Sequence, residues 1–549
     1  MSRKSWMEIG LMIAQVRQYK AIAQDVEQNQ NTSNTTTTPG CETQEAARSD
    51  VEKRSSKSRE EEQQREHHKA ERLGETWAPN DPHNPQNWSY TRKWIYTIIV
   101  CMTNFITSGA ASFDTEVVPQ AMQTYNLHGT PGEQVALLAT TLYMVMFGLG
   151  TPIAAPLSET FGRNPVYIFG LLGMVCFSLG SAAAPNVQTW IICRAFMGFF
   201  GSPPNVTFGG TSADMWSPKE RTYIFPILSS FVFLGPFVAP TVADLIATSP
   251  LVDWHWTSWL TAIVAGSLAA TIAVFVPETY SPVLLAYRAK CGRRSGGHGK
   301  GSVESGKVSS LFTKLRKSML TPWTLLATEP MLTLFTLYLF IIYSVLFGLL
   351  PGFTYIFGAN GYYGFSQTGV GLCFLAMDVG FLAALPIVAW VYPRYLRRLK
   401  EGGGKVVPEE RLWYAIIGGP LLPISIFWLA WTPPSGLSFW CPLVASGVFG
   451  LASLTIFISI FQYTVDTYES VCASALVGMT ISRYIVGAMM IHAAIPMIQH
   501  MGVPKALTVW GALAAVMAPV PLLFYWKGHI FRAMSTRATD MGAWSAANN

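Results

Sequence analysis

The stretch MLTLFTLYLFIIYSVLFGLLPGFTYIF, residues 331–357, runs for 27 positions without a charged side chain. An α-helix of this length rises about 40 Å, which exceeds the hydrocarbon core of a bilayer, about 30 Å thick. The stretch therefore predicts a transmembrane helix.

The rest of the chain has the same character. Of its 549 residues, 50% are apolar and only 13% are charged, whereas soluble proteins carry roughly 25% charged residues. Mean hydropathy is +0.29. Residues 1–93 hold 14 Lys and Arg and 14 Asp and Glu, so the body of the chain is poorer still in charge. This composition excludes a soluble enzyme, a nucleic-acid-binding domain and a secreted disulfide scaffold.

Twelve apolar segments of 19 to 27 residues follow one another. The predicted spans, numbered 1 to 12, are 94–114, 134–156, 164–184, 187–210, 222–246, 256–276, 331–357, 368–393, 413–431, 437–463, 472–497 and 503–526. The predicted fold is an all-α membrane protein with two six-helix halves.

The same reading divides the chain into five parts. The predicted parts are a largely disordered cytosolic tail (1–93), an N-terminal bundle (94–276), a cytosolic central loop (277–330), a C-terminal bundle (331–526) and a cytosolic tail (527–549).

The placement of Lys and Arg predicts the orientation. With both termini in the cytosol, the inner segments after residue 93 carry 21 Lys and Arg, and the outer segments carry only Lys505. Such a bias follows the positive-inside rule, so the net charge of +6 requires no nucleic-acid partner.

A charged turn joins spans 2 and 3. In APLSETFGRNP, residues 155–165, Gly162 gives the backbone freedom to reverse, and Glu159 and Arg163 supply opposite charges. These charges could pair with neighbouring helix ends and hold an inner gate in one conformation, or they could form an ordinary solvated turn. The predicted gate residues are Glu159, Gly162, Arg163, Asp214, Arg221 and Asp466.

The two halves share a spacing. The triplet at 214–216 follows span 4, and the triplet at 466–468 follows span 10, an offset of 252 that also relates Gly235 to Gly487. Many secondary transporters are built from repeated halves with the substrate site between them, near the midplane.

Several motifs resemble those of the major facilitator superfamily. The turn at 155–165 resembles its loop motif, with Ala155 replacing a Gly and Thr160 replacing a common basic residue. The stretch at 192–201 resembles the motif with a buried Arg in span 4. The stretch at 234–240 resembles the antiporter motif Gly-Pro-x-x-Gly-Gly. Its residues here are Gly235, Pro236, Ala239 and Pro240.

Three more stretches resemble the fungal members of that superfamily. They are WAPNDPHNPQNWS at 77–89, VPETYSPVLL at 276–285 and PEERL at 408–412. The resemblance, which covers residues 77 to 530, implies a twelve-span drug:proton antiporter that exports drugs, polyamines or secondary metabolites.

Charged residues within the spans are candidates for proton coupling. Arg194 lies about 10 Å inside span 4, where a guanidinium is costly unless it is paired or hydrated. The resemblance links this Arg to proton transfer, and by depth its candidate partners are Asp114 and Glu116. A static structural pair is the alternative.

A second set of charged residues lies deeper within the predicted spans. Asp378 and Arg483 each lie on the order of 15 Å from a membrane surface, where they could neutralise each other, or Asp378 could carry a proton.

Polar and aromatic span residues are candidates for the substrate cavity: Asn104, Asn205, Tyr343 and Gln462. Hydrogen bonding between helices would explain the polar ones equally well. The Gly235-Pro236 pair predicts a kinked span 5 packed tightly against span 8.

The chain has no Gly-x-x-x-x-Gly-Lys-Ser/Thr loop for ATP and no metal-ligand spacing, so no cofactor is expected. The predicted function is proton-driven export of a lipophilic or cationic small molecule by a monomer in the cell membrane. The partners would be the substrate, protons and the bilayer. A uniporter, an importer into a vacuole or peroxisome, and a membrane sensor are the alternatives.

Overall fold

A computed structural model describes residue 77 and residues 81–294, 307–401, 406–468 and 471–535. The predicted disordered tail up to residue 76 and the end of the C-terminal tail lie outside the described residues. The helices are α1 (Tyr90–Gly109), α2 (Val118–Thr124), α3 (Gly129–Phe161), α4 (Arg163–Ala182), α5 (Val187–Met215), α6 (Pro218–Ala247), α7 (Trp256–Phe275), α8 (Ser281–Arg294), α9 (Lys307–Thr328), α10 (Pro330–Phe357), α11 (Gln367–Glu401), α12 (Trp413–Trp431), α13 (Trp440–Thr467), α14 (Cys472–Met501), α15 (Val503–Met517) and α16 (Val520–Met534).

The architecture is all-α, as predicted. Within the described residues, eleven helical segments are long and apolar enough to cross a membrane. The other predicted span is α5, a 29-residue helix that is less apolar because it carries Arg194 and several buried polar side chains. The last span is divided between α15 and the first turns of α16.

The halves consist of α1 to α7 and α10 to α16. Two seams join them, α3 against α14 and α6 against α11. These seams pair span 2 with span 11 and span 5 with span 8. In the repeated halves, span 8 corresponds to span 2 and span 11 corresponds to span 5. The two seams are therefore equivalent.

Prolines inside the helices direct contacts between elements. A proline has no N–H, so the carbonyl four residues before it loses its helical donor. Three such carbonyls accept side-chain donors from other elements instead. Ser112 Oγ donates to Pro236 O (2.7 Å), Gln462 Nε2 to Thr222 O (3.2 Å) and Ser318 Oγ to Pro152 O (2.8 Å).

The central segment differs from the predicted loop. Residues 277–330 contain α8 and α9, and α9 packs against α3 of one half and α14 of the other. The helices form because this segment has apolar residues to bury: Leu284 and Leu325 are fully buried. The apolar runs of this segment are too short, and the residues around them too basic, for hydropathy to predict a membrane span.

Candidate functional site

The Arg194 guanidinium is buried against a carboxylate. It lies on the third turn of α5, whose first turn is capped by the Asn186 side chain accepting from Thr189 N at 2.8 Å. Arg194 Nε donates to Asp114 Oδ2, and Arg194 Nη1 donates to Ala110 O at 3.0 Å. The Arg194 and Asp114 side chains are each 1% exposed. Of the two acids proposed from depth, Asp114 is therefore the partner.

The surroundings of this pair connect it to α3 and α7. The other Asp114 oxygen accepts from Thr257 Oγ1 of α7 at 3.4 Å, and the Tyr143 ring of α3 lies 5.6 Å from the guanidinium. Arg194 Nη2 is buried and makes no hydrogen bond. Protonation of Asp114 would leave a buried cation without its counter-charge.

Glu116 does not reach Arg194. The chain turns after α1, and the Glu116 carboxyl lies near the buried Asp244 of α6 instead; burial and this like charge raise the pKa of Glu116. Asp244 interacts with the Gln367 side chain of α11, and Gln367 Nε2 donates to Glu116 O at 2.9 Å. We call this end of the bundle, with Asp114 and Glu116, the acidic end.

The opposite end, which holds Arg163 and Arg411, is called the basic end. Here Arg163 Nε is 3.1 Å from Asp214 Oδ2, and Arg163 Nη1 donates to Ser158 Oγ at 2.7 Å. This pair joins the start of α4 to the end of α5, which is the first of the two alternatives that the turn sequence leaves open.

Gly162 allows a carboxylate to cap α4. Its φ is +102°, and a Cβ there would overlap the Glu278 carboxyl group. That carboxyl accepts from the backbone N–H groups of Arg163 (2.9 Å) and Asn164 (3.2 Å), at the positive end of the helix dipole. Burial raises the pKa of Glu278, although the N–H groups it accepts act in the opposite direction.

The second half repeats the Arg–Asp pair with a different Arg. Arg411, in a single turn before α12, has its Nε 2.7 Å from Asp466 Oδ2 at the end of α13. Glu159 is exposed and joins no ion pair within the described residues, and Arg221 lies near Asp466 without an ion pair. The predicted single network is thus two separate pairs, because each acid is nearest to the Arg that begins the neighbouring helix of its own half.

Hydrogen bonds join the halves at both ends. At the basic end, Arg411 Nη1 donates to Thr222 Oγ1 at 2.9 Å, and Gln462 bonds the Thr222 carbonyl. At the acidic end, Thr241 Oγ1 of α6 donates to Gly371 O of α11 at 2.6 Å. His492 Nε2 lies 2.8 Å from Thr141 Oγ1 there.

Two of the four predicted cavity residues lie at the centre of the seam. Asn205 Nδ2 donates to Tyr484 Oη across the halves at 3.3 Å, and the Tyr343 ring lies 5.7 Å from the Tyr484 ring. Gln462 belongs instead to the basic end, because it lies in the last two turns of α13. Asn104 donates within α1, to Val100 O at 3.0 Å.

The proposed neutralisation of Asp378 by Arg483 is wrong. Both Asp378 oxygens are buried without a hydrogen bond, and Arg483 forms no ion pair with any described residue. The guanidinium lies instead among aromatic rings, one of them Tyr343. Equal depth does not imply contact, because the two side chains leave their helices in different directions.

The antiporter motif has two faces. A Cβ on Gly235 would overlap backbone of α1, with Gly109 N at 2.7 Å, and Ala239 contacts the same helix. Pro240 frees the Pro236 carbonyl for Ser112. The glycine side of α6 therefore packs on α1 of its own half rather than on α11, which meets the Phe237 side.

Residues 94–491 match the Major Facilitator Superfamily, which is 398 of the 549 positions. The chain belongs to the major facilitator superfamily. It is a multi-pass membrane transporter rather than an enzyme.

Two named relatives of this transporter come from fungi. It is 44% identical over 460 residues to the MFS-type transporter kojT of Aspergillus flavus, covering 83% of this chain and 80% of kojT. It is 33% identical over 462 residues to the major facilitator superfamily multidrug transporter FLU1 of Candida albicans, covering 83% and 75%. The resemblance to fungal efflux-type members is confirmed.

A solved structure supports the fold. The proton:xylose symporter XylE bound to 6-bromo-6-deoxy-D-glucose superposes with a TM-score of 0.58 at 13% identity, covering 80% of this chain and 96% of XylE.

Several contact residues have no counterpart in the sequence-based candidates. They are Thr222, Asp244, Glu278 and Arg411, and each acts through a partner far away in sequence. Glu278 lies in the PETY stretch and Arg411 lies in the PEERL stretch, so these two motifs are the features of the sequence that point to them.

Proposed function

We propose that the transporter exports small organic molecules in exchange for protons, with Asp114 as the proton-carrying carboxyl and Arg194 as the group that controls it. The observation that carries the proposal is the buried Asp114–Arg194 pair in the N-terminal half. Relatives named as a multidrug transporter and as an MFS transporter of a biosynthesis cluster support the class of cargo.

The free energy that protonation of Asp114 would release or cost is large enough to change the conformation of the transporter. When Asp114 takes up a proton, Arg194 keeps its charge without a counter-ion, and an uncompensated buried charge costs about 3–5 kcal/mol. Moving a two-state equilibrium from 1:99 to 99:1 requires about 5.5 kcal/mol. One protonation therefore supplies much of the free energy that a change of conformation needs.

A physical route leads from the pair to the seam. Tyr143, whose ring faces the Arg194 guanidinium, donates its hydroxyl to Thr107 O at 2.7 Å and lies on α3. The same helix carries Thr141, which meets His492 of the other half. A shift of Arg194 would thus act on a helix that forms one of the two seams.

Orientation and membrane are part of the proposal. The basic end would face the cytosol, with both termini there, and the transporter would act as a monomer in the cell membrane. The acidic end would then give Asp114 and Glu116 access to external protons. Alternation would expose the seam around Asn205 and Tyr343 to one side at a time.

The test uses purified protein in sealed liposomes with an imposed pH gradient. Ethidium, naphthoate and naphthamide serve as cationic, anionic and neutral probes. We expect at least one probe to move against its own gradient, and we expect nigericin, which collapses the pH gradient, to stop this movement.

Two variants assign the chemistry. Arg194→Ala should abolish uphill movement while the protein remains folded, and Arg398→Gln, which removes an exposed Arg paired with Glu401 and Glu410, should retain it. Movement that ignores the pH gradient would instead indicate a uniporter, and unchanged uphill movement in Arg194→Ala would remove Arg194 from the mechanism.

A further inference from the structure

Arg483 is a buried cation that pairs with no acid among the residues that the structure describes. It is the twelfth residue of α14, hence on the order of 16 Å from the basic end at helical rise. It is 1% exposed, and its Nε and Nη1 atoms are buried without a hydrogen bond. A charged group held this way at mid-membrane depth is costly and therefore points to function.

Four aromatic rings surround the guanidinium. The distances from Arg483 Cζ to the ring centroids are 4.9 Å for Phe457, 5.0 Å for Tyr343 and Phe461, and 5.3 Å for Tyr484. Cation–π contacts offset part of the cost of burial, but rings accept no N–H···O hydrogen bond. We call these rings the Arg483 cage.

The cage lies at the seam between the halves. Each of its rings also contacts an aromatic residue of the N-terminal half. The centroid distances are 6.0 Å for Tyr343–Phe233, 4.9 Å for Phe457–Phe233, 6.2 Å for Phe461–Phe225 and 4.9 Å for Tyr484–Phe147. Separation of the halves would therefore uncover the cage and Arg483 together.

We propose that the Arg483 cage binds the anionic group of a planar organic substrate, such as an aromatic carboxylate or an enolate. This inference rests on the proposed export function and specifies its cargo. An organic anion differs from the lipophilic or cationic small molecule expected from the sequence.

The chemistry of the cage selects this class. A guanidinium has donors and no acceptor, so its ligand must bring lone pairs, and charge-assisted bonds to a carboxylate or enolate are the strongest available. The rings offer stacking surfaces to a flat ligand. A cationic ligand would be repelled by Arg483, and no described acid pairs with Arg483 to cancel that repulsion.

The test is equilibrium binding to the purified full-length transporter in detergent at neutral pH, without any gradient. The probes are naphthoate and naphthamide, which have nearly the same shape and differ in charge. We expect wild-type protein to bind naphthoate at least tenfold more tightly than naphthamide. Arg483→Gln should remove that preference, and Arg483→Lys should retain part of it.

Controls separate binding from folding and from proton coupling. Arg398→Gln removes an exposed Arg and should leave the preference unchanged. Tyr343→Leu keeps the charge, removes one ring and should weaken naphthoate binding several-fold. Equal binding of the two probes to wild-type protein, no binding of naphthoate, or an unchanged preference in Arg483→Gln would overturn the proposal. Because no gradient is present, a failure of proton coupling would not affect these results.

Discussion

The Thr222 hydroxyl holds the two halves together at the basic end, and Thr222→Val should open that end. The substitution keeps the shape of the side chain and removes the acceptor that Arg411 Nη1 reaches at 2.9 Å. A hydrogen bond to a charged group contributes about 1.5–3 kcal/mol. Since about 1.4 kcal/mol is a factor of ten, the ratio of open to closed basic ends should rise roughly 10- to 100-fold.

A matched substitution on the same helix should act in the opposite direction. Thr241 Oγ1 donates across the halves to Gly371 O at the acidic end, a neutral bond that contributes about 0.5–1.5 kcal/mol. Thr241→Val should therefore open the acidic end by roughly 2- to 10-fold and leave the basic end closed. The pair controls for any general loss of stability in α6.

Spin-label distances can measure both effects. Labels at the exposed positions 219 and 397 report on the basic end, and labels at Leu251 and Leu437 report on the acidic end. Thr222→Val should populate a longer distance only in the first pair, and Thr241→Val only in the second. If Thr222→Val lengthens neither distance, or lengthens both equally, the assignment of Thr222 to the basic-end contact is refuted.

Three further predictions follow from other parts of the structure. Gly162→Ala should lower the free energy of unfolding by about 1.5–3 kcal/mol more than Gly436→Ala in a denaturant titration, because both have positive φ but only the first displaces the carboxylate that caps α4. Ser112→Ala should cost about 1–3 kcal/mol in the same titration by leaving the Pro236 carbonyl without a donor, and Ser267→Ala, which removes an exposed hydroxyl, should cost almost nothing. If the cargo is an organic anion exchanged for one proton, each cycle moves two positive charges inward, and an inside-negative potential should speed export by contributing about 2.3 kcal/mol per charge per 100 mV. An export rate that valinomycin-imposed potentials leave unchanged would contradict an electrogenic cycle.

The spans can be predicted from the sequence because residues that face lipid must be apolar, and this requirement acts on each position of a span separately. Even α5, which is not among the eleven long apolar helical segments, can be identified from its length and its place in the order of spans. The pairing of Arg194 with an acid at the end of α1 followed from depth along the helices. Depth left Asp114 and Glu116 as alternatives, and the turn after α1 decides between them.

Depth along a helix does not predict contacts that depend on the direction in which a side chain leaves the helix. Asp378 and Arg483 share a depth, yet they make no contact, because rotation about a helix axis is not encoded in distance along it. For the same reason, depth does not predict that Glu116 lies near Asp244, which is 128 positions away in the sequence. Hydropathy also does not predict α9, because an amphipathic helix has no span-length apolar run.

The proline-freed carbonyls show what a single sequence does contain. Pro226, Pro240 and Pro156 each remove the helical donor of a carbonyl that a side chain from another element then contacts. The identity of the donors, on α13, after α1 and on α9, depends on packing between distant segments.

The central claim is that Asp114 carries the coupled proton, and Asp114→Asn tests it most directly. Asn keeps the size of the side chain and cannot exchange a proton. In liposomes, we expect the variant to exchange labelled for unlabelled probe across the membrane when no gradient is present, yet to fail to accumulate it when a pH gradient is imposed. Proton-driven accumulation at the wild-type level in Asp114→Asn would contradict the claim.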